Sequence, residues 1–204
     1  MTPSIAIKKY FRGFVPVVID LETSGSDHEI HGILEIAAVY PCWTDKWSTG
    51  KIFHEHVDMF PGAQESEDSM KIHGIIPDHP FRKALSETDM MQALAHSIQA
   101  QCQLFESSKA VLVAHNPHFD VSFLRAAEKR TGVTLPLHRY TMFDTATMGM
   151  MMYRETVLAR VCMKAGLPFD VGQAHGALYD ATMTADVFWL MVNAARKKLS
   201  SRSL

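Results

Sequence analysis

Cysteine is scarce in this chain of 204 residues, with only Cys42, Cys102 and Cys162, an odd and widely spaced set. That excludes a disulfide framework and a zinc knuckle, and leaves buried thiols as the expectation. Long apolar runs are missing too: Asp, Glu, Lys or Pro interrupts each candidate before it reaches the roughly 20 uncharged residues of a bilayer span. A soluble protein with no membrane partner is expected. Met1 to Arg12 lacks the apolar centre and small-residue cleavage site of a secretory leader, from which a cytoplasmic location is expected. Nor is there an excess of positive charge. A net charge of -2 does not by itself advertise a nucleic-acid surface. Basic residues gather only at the ends, in Lys8, Lys9 and Arg12 and in Arg196, Lys197, Lys198 and Arg202, where they read as local patches or as solvated termini.

What is present suffices for one core. A hydrophobic content of 47% predicts a single domain over 1–204, with its core at about 13–198 and basic ends. The β-branched run from Val15 to Glu22 predicts a strand, closed by turn residues at Thr23 to Asp27. Ile33 to Tyr40 and Lys51 to Val57 follow as second and third strands of an antiparallel meander, and Pro61 to Pro80 as a short helix and loop. Met91, Leu94, Ala95, Ile98, Cys102 and Phe105 recur at helical spacing, so Thr88 to Phe105 is a helix, with Ser86 or Thr88 as its cap. Ala110 to His115 is a short continuous apolar run of the kind buried on both faces, and the helix from Phe119 to Arg130 completes a βα unit. Further helices are expected over Asp144 to Met152, Thr156 to Ala165 and Gly176 to Lys198. This order predicts an α/β fold, a mixed sheet flanked by helices.

Acidic residues interrupt that pattern in telling places. Asp20 and Glu22 are two apart on a strand and therefore share one face, at the end of a run that otherwise belongs in the core. Buried carboxylates without a counter-charge are costly, and a bound cation is the economical explanation. Asp120 opens a helix at the C-terminal end of a strand, where α/β folds commonly place sites; alone it also reads as a helix-dipole carboxylate. His175 falls in the loop before the last helix and Asp180 on its second turn, a spacing that does not align them on a regular helix. His115 reads as structural.

These segments, Ile19-Asp-Leu-Glu-Thr-Ser-Gly, Ala114-His-Asn-Pro-His-Phe-Asp and Ala174-His-Gly-Ala-Leu-Tyr-Asp, resemble in order the motifs of the DEDDh superfamily of 3′ to 5′ exonucleases. Within it, Phe11 to Asp20, Leu34-Glu-Ile-Ala-Ala, Phe143-Asp-Thr-Ala and Gln173-Ala-His look like the ribonuclease T family. The resemblance implies an RNase H-like mixed five-stranded sheet and two metal ions, Mg2+ with Mn2+ as a substitute, suited to hard carboxylate oxygens. It implies that Asp20 bridges both ions, that Glu22 and Asp180 hold one, that Asp120 contributes at the other, and that His175 is the general base. The metal-site set is then Asp20, Glu22, Asp120, His175 and Asp180. The implied product is a nucleoside 5′-monophosphate cut from the 3′ end of tRNA or other structured RNA, with single-stranded DNA as a further substrate.

The family's four base-stacking phenylalanines correspond to Ser26, Ile72, Phe119 and Tyr140, so two platforms are not aromatic here, and Phe119 also reads as core packing. Asp68 stands where the family has a glutamate that reads a terminal cytosine. Arg12 and Lys109 match part of a basic patch that, in a homodimer, holds RNA entering the other subunit's site; Tyr10 replaces one of its arginines. Met148, Met150, Met151 and Met152 read as adaptable core filler or as an interface. Two rival functions stand beside this one. A proofreading-type DNA exonuclease would share each catalytic residue, and a non-catalytic nucleic-acid-binding module would have little physical reason to keep all five together.

Overall fold

The structure, a computed structural model, describes residues 1–200 and their side chains as far as Lys198; Arg202 of the basic tail lies outside the described residues. In chain order the elements are α1 Pro3–Phe11, β1 Val15–Thr23, β2 Ile33–Trp43, β3 Trp47–Val57, α2 Glu67–His73, β4 Ala84–Leu85, α3 Glu87–Leu104, β5 Ala110–Ala114, α4 His118–Thr131, β6 Leu137–Asp144, α5 Thr145–Tyr153, α6 Leu158–Lys164 and α7 Ala177–Ser200. The sheet runs β4-β3-β2-β1-β5-β6. β1 to β3 form the antiparallel meander, while β5 lies parallel to β1 and β6 parallel to β5. Among the described residues no helix is long and apolar enough to cross a membrane.

The mixed α/β sheet is the architecture expected, with three additions. The expected five strands become six because Ala84 and Leu85 add a two-residue strand parallel to the end of β3, too short to show a period. β6 was hidden by its pattern. Its register slips against β5 between Ala110 and Leu112, so His138 to Thr141 bulge outward and break the apolar alternation. The N-terminal segment is not merely a solvated basic end. Thr2 caps α1 by accepting from the Ile5 N–H, and the helix buries Ala6, Ile7 and Phe11. Phe11 meets the ring of Trp47 edge-on at 5.3 Å and also touches Phe143, Phe188 and Trp189.

Cys102 and Cys162 are buried thiols, as expected, and Cys42 is half-buried. Met148 packs into both apolar clusters, the main one around the sheet and a smaller one of Val161, Cys162, Met183, Val187 and Met191 between α6 and α7. Met150, Met151 and Met152 face outward.

One polar contact ties α3 to α4 beneath the loop after β1. Arg130 forks onto the buried Glu87 carboxylate at 2.7 and 3.0 Å, donates to the His28 carbonyl and stacks 4.0 Å above the Phe60 ring. Replacing Arg130 with Ala strands a mostly buried carboxylate, and a loss of about 3 kcal/mol is expected by urea denaturation, because breaking such a pair costs far more than the pair contributes net.

Candidate active site

β1 presents Asp20 and Glu22 on one face at its C-terminal end, as the two-residue period requires. α7 packs across β1, β2 and β3, which brings Asp180, in its first turn, to the same place. Oxygens of Asp20, Glu22 and Asp180 all lie within 4.8 Å of one another. Asp120, buried at the start of α4, completes the acidic group, with its own backbone N–H and that of Leu21 on β1 favouring its ionised form.

So many carboxylates cannot ionise together cheaply. Burial, then the charges of Asp120, Glu22, Asp180 and Glu35, holds Asp20 well above the ordinary carboxylate range. Burial, with Asp180, Glu35 and Asp120 beside it, raises Glu22 to about 8. Burial likewise raises Asp120 to about 8 against the pull of its two N–H donors. Asp180 is also raised by burial, and its Oδ1 is buried with no hydrogen-bond partner among the described residues. An orphaned oxygen among clustered carboxylates fits a hard divalent cation, which would supply the missing positive charge.

His175 sits in the left-handed region at φ 64°, exposed, and its N–H donates to Asp180 Oδ2 at 3.0 Å. That bend places the histidine at the rim beside Asp180, a relation that helical spacing alone does not supply. His115 has the structural role expected of it: its ring nitrogens lie 2.9 Å from Thr145 Oγ1 and 2.6 Å from the Thr156 carbonyl, clipping the turn after β5 to the segment between α5 and α6.

Two positioning contacts were not foreseen. Glu35 lies directly opposite Glu22 across β1 and β2, and its Oε2 accepts from the Ala177 N–H, the start of α7, at 3.3 Å. The interruption of the apolar run of β2 by a glutamate was the available signal, the same one that marked Asp20. His73, at the end of α2, accepts from the Ile75 N–H through Nδ1, which leaves Nε2 to donate to the Thr23 carbonyl at 3.1 Å. This pins α2, with exposed Asp68 and Ile72, against the end of β1.

The remaining substrate candidates are dispersed. Ser26 is exposed in the turn after β1, and Phe119 is half-buried one residue before Asp120, its ring 4.9 Å from that of Phe123. Tyr140 is 82% exposed on the β6 bulge rather than beside the carboxylates. Arg12 and Lys109 are exposed at the opposite end of β1, where the Val15 N–H donates to the Lys109 carbonyl. Lys109 also lines a concavity of about 640 Å³ shared with Arg125, Lys129 and Arg139, whose lining includes none of the clustered carboxylates.

Comparison with known proteins follows the same lines. An exonuclease family model matches residues 17–188. Ribonuclease T of Yersinia enterocolitica is 40% identical over 195 residues, covering 94% of this chain and 91% of that protein. Ribonuclease T of Haemophilus influenzae is 40% identical over 194 residues, covering 92% and 83%. Among solved structures, E. coli exonuclease I in complex with a dT13 oligonucleotide superposes with a TM-score of 0.70 at 16% identity, over 93% of this chain and 43% of that one. A 3′-exonuclease in a study of histone mRNA stem-loop recognition gives 0.70 at 17% identity, over 88% and 64%. At those identities the likeness is one of fold; in each case this chain spans less than two thirds of the solved chain.

Proposed function

We propose that this chain, which belongs to the ribonuclease T family of exonucleases, trims the 3′ ends of tRNA and other structured RNAs in the cytoplasm and releases nucleoside 5′-monophosphates. The observation that carries the reading is the convergence of Asp20, Glu22 and Asp180 beside buried Asp120, since a structural role offers no return for so much buried negative charge. Asp20, Glu22, Asp120 and Asp180 would hold two Mg2+ ions, with Mn2+ as a substitute. Such ions would supply Lewis-acid activation of water and would neutralise charge on the leaving 3′ oxygen.

The chain's own residues do the rest. His175 accepts the proton from the attacking water, with Asp180 fixing its backbone through the 3.0 Å hydrogen bond. Phe119, on the turn that also carries Asp120, would offer a face on which a terminal base stacks, and exposed Ser26, Ile72 and Asp68 are assigned to base recognition by the family resemblance alone. With serine and isoleucine in place of rings, terminal bases are held less tightly and discriminated less.

Arg12 and Lys109 belong to a different step. Val15 and Asp20 are five residues apart along β1, about 17 Å at strand rise, and Arg12 lies further back still. Their side chains do not reach their own subunit's carboxylates, which favours a homodimer in which they hold RNA entering the partner's site. Arg12→Ala with Lys109→Ala is expected to weaken RNA binding across sequences and to reduce the salt dependence of log K by about one to two, measured by filter binding over a salt series.

Digestion of 3′-labelled tRNA and a matched DNA oligonucleotide with Mg2+ tests the whole reading. Stepwise loss of 3′ nucleotides, with RNA at least as good as DNA, supports it; faster digestion of DNA would point instead to proofreading. In the same assay His175→Ala is expected to lower the turnover rate by roughly 10² to 10⁴, with RNA affinity unchanged. A wild-type rate in that variant would remove His175 from the mechanism.

A further inference from the structure

We propose that Glu35, His54 and His56 form a second metal site, distinct from the acidic cluster, that takes one transition-metal dication of the Zn2+ type in preference to Mg2+. His54 and His56 are two apart on β3 and project from the same face. The β2–β3 register sets Glu35 directly opposite His56, with Ala37 opposite His54. One ring nitrogen from each histidine and one oxygen of Glu35 all lie within 4.8 Å of one another. Tetrahedral zinc, with bonds near 2.1 Å, sets its ligand atoms about 3.4 Å apart, so modest side-chain rotation closes the set.

Hydrogen bonding within the protein does not account for all three groups. His54 Nε2 lies 2.6 Å from Glu35 Oε1, a contact that satisfies those two alone. His56 Nδ1 is buried and has no hydrogen-bond partner among the described residues. Hydrogen bonding therefore leaves the His56 imidazole, which offers a ring nitrogen to the cluster, without a full account, and a metal supplies one where the His54–Glu35 contact does not. Two imidazoles and one carboxylate suit borderline metals, whereas Mg2+ demands an octahedron of oxygens. The carboxylate is held from behind, as metal ligands usually are, by the Ala177 N–H. Arg82 is the neighbouring cation, but its guanidinium is directed at the Leu34 and Val57 carbonyls at 2.6 and 2.7 Å and lies 3.6 Å from Asp58.

Because Glu22 is Glu35's partner on the next strand, the two sites sit one strand apart. They differ in donor chemistry, and that separates them experimentally. Binding of Zn2+ to the full chain is measured by equilibrium dialysis in excess Mg2+, which occupies the acidic cluster. Wild type and Asp20→Asn are each expected to retain one equivalent. His54→Gln and His56→Gln are each expected to bind Zn2+ roughly tenfold or more weakly, with circular dichroism checking their folding. Substituting Co2+ should give visible d–d absorption in wild type and Asp20→Asn that the histidine variants lack. No Zn2+ retained by wild type in excess Mg2+ would overturn the proposal whatever the variants do, as would unchanged binding in folded histidine variants. The readout is binding rather than hydrolysis, so neither result bears on the exonuclease reading.

Discussion

Asp20→Asn is expected to slow 3′-nucleotide release by more than about a thousandfold, the several kcal/mol that metal activation supplies, and at the same time to raise the melting temperature of the metal-free protein. Both effects follow from one position. Asp20 lies where the fields of Asp120, Glu22, Asp180 and Glu35 all act, and it is held further from its ordinary ionisation than burial alone would demand. The amide keeps the shape and the strand but cannot ionise, so ions lose a ligand and the empty cluster no longer carries the cost of keeping Asp20 protonated or charged among its neighbours. Rates measured in saturating Mg2+ and thermal denaturation in EDTA report the two halves separately. A rate within tenfold of wild type would place the reacting centre elsewhere. A lower melting temperature in EDTA would mean that favourable contacts hold Asp20 where it is, and that the cluster is not a repulsive one.

Much of that centre was legible because strand geometry is short-ranged. Asp20 and Glu22 share a face by period alone, and Asp120 follows from the strand-to-helix turn after β5. The pairing of His175 with Asp180 was legible only through resemblance, since it depends on one left-handed residue and a hydrogen bond running five residues along the chain. Glu35 and His73 act through partners 142 and 50 residues distant, contacts that no local pattern encodes. The fold shows the same division. The meander and the long helices announce themselves by period, whereas β4 is too short to have one and β6 loses its own at the bulge. For α1 the basic residues drew the eye from Ala6, Ile7 and Phe11, whose burial depends on rings supplied by β3, β6 and α7.

Burial of the clustered carboxylates, reinforced at Glu22 by its acidic neighbours, makes stability depend on pH in a direction opposite to that of most carboxylate-rich proteins. Glu22 and Asp120 are raised to about 8 in the folded chain, against ordinary values of 4.5 and 3.8. Between those limits the folded state binds protons that the unfolded state has released, so its stability, fully present below the ordinary values, falls as pH rises through about 8 and then levels off. Metal-free protein is therefore expected to melt at progressively lower temperature from about pH 5 to pH 8. Mg2+ reverses the trend only where the carboxylates are free to bind it, since at the acid end it must displace protons. At a hundredfold excess over its dissociation constant the ion adds about 2.7 kcal/mol, which for a chain of this size is a shift of roughly 5 to 10 °C, seen near pH 8 and nearly absent near pH 5. Thermal denaturation across that range, with EDTA and with Mg2+, measures both slopes. A metal-free melting temperature that rises with pH would show these carboxylates ionising freely in the folded state, and the acidic cluster would then lose its claim to be a place where a cation is required.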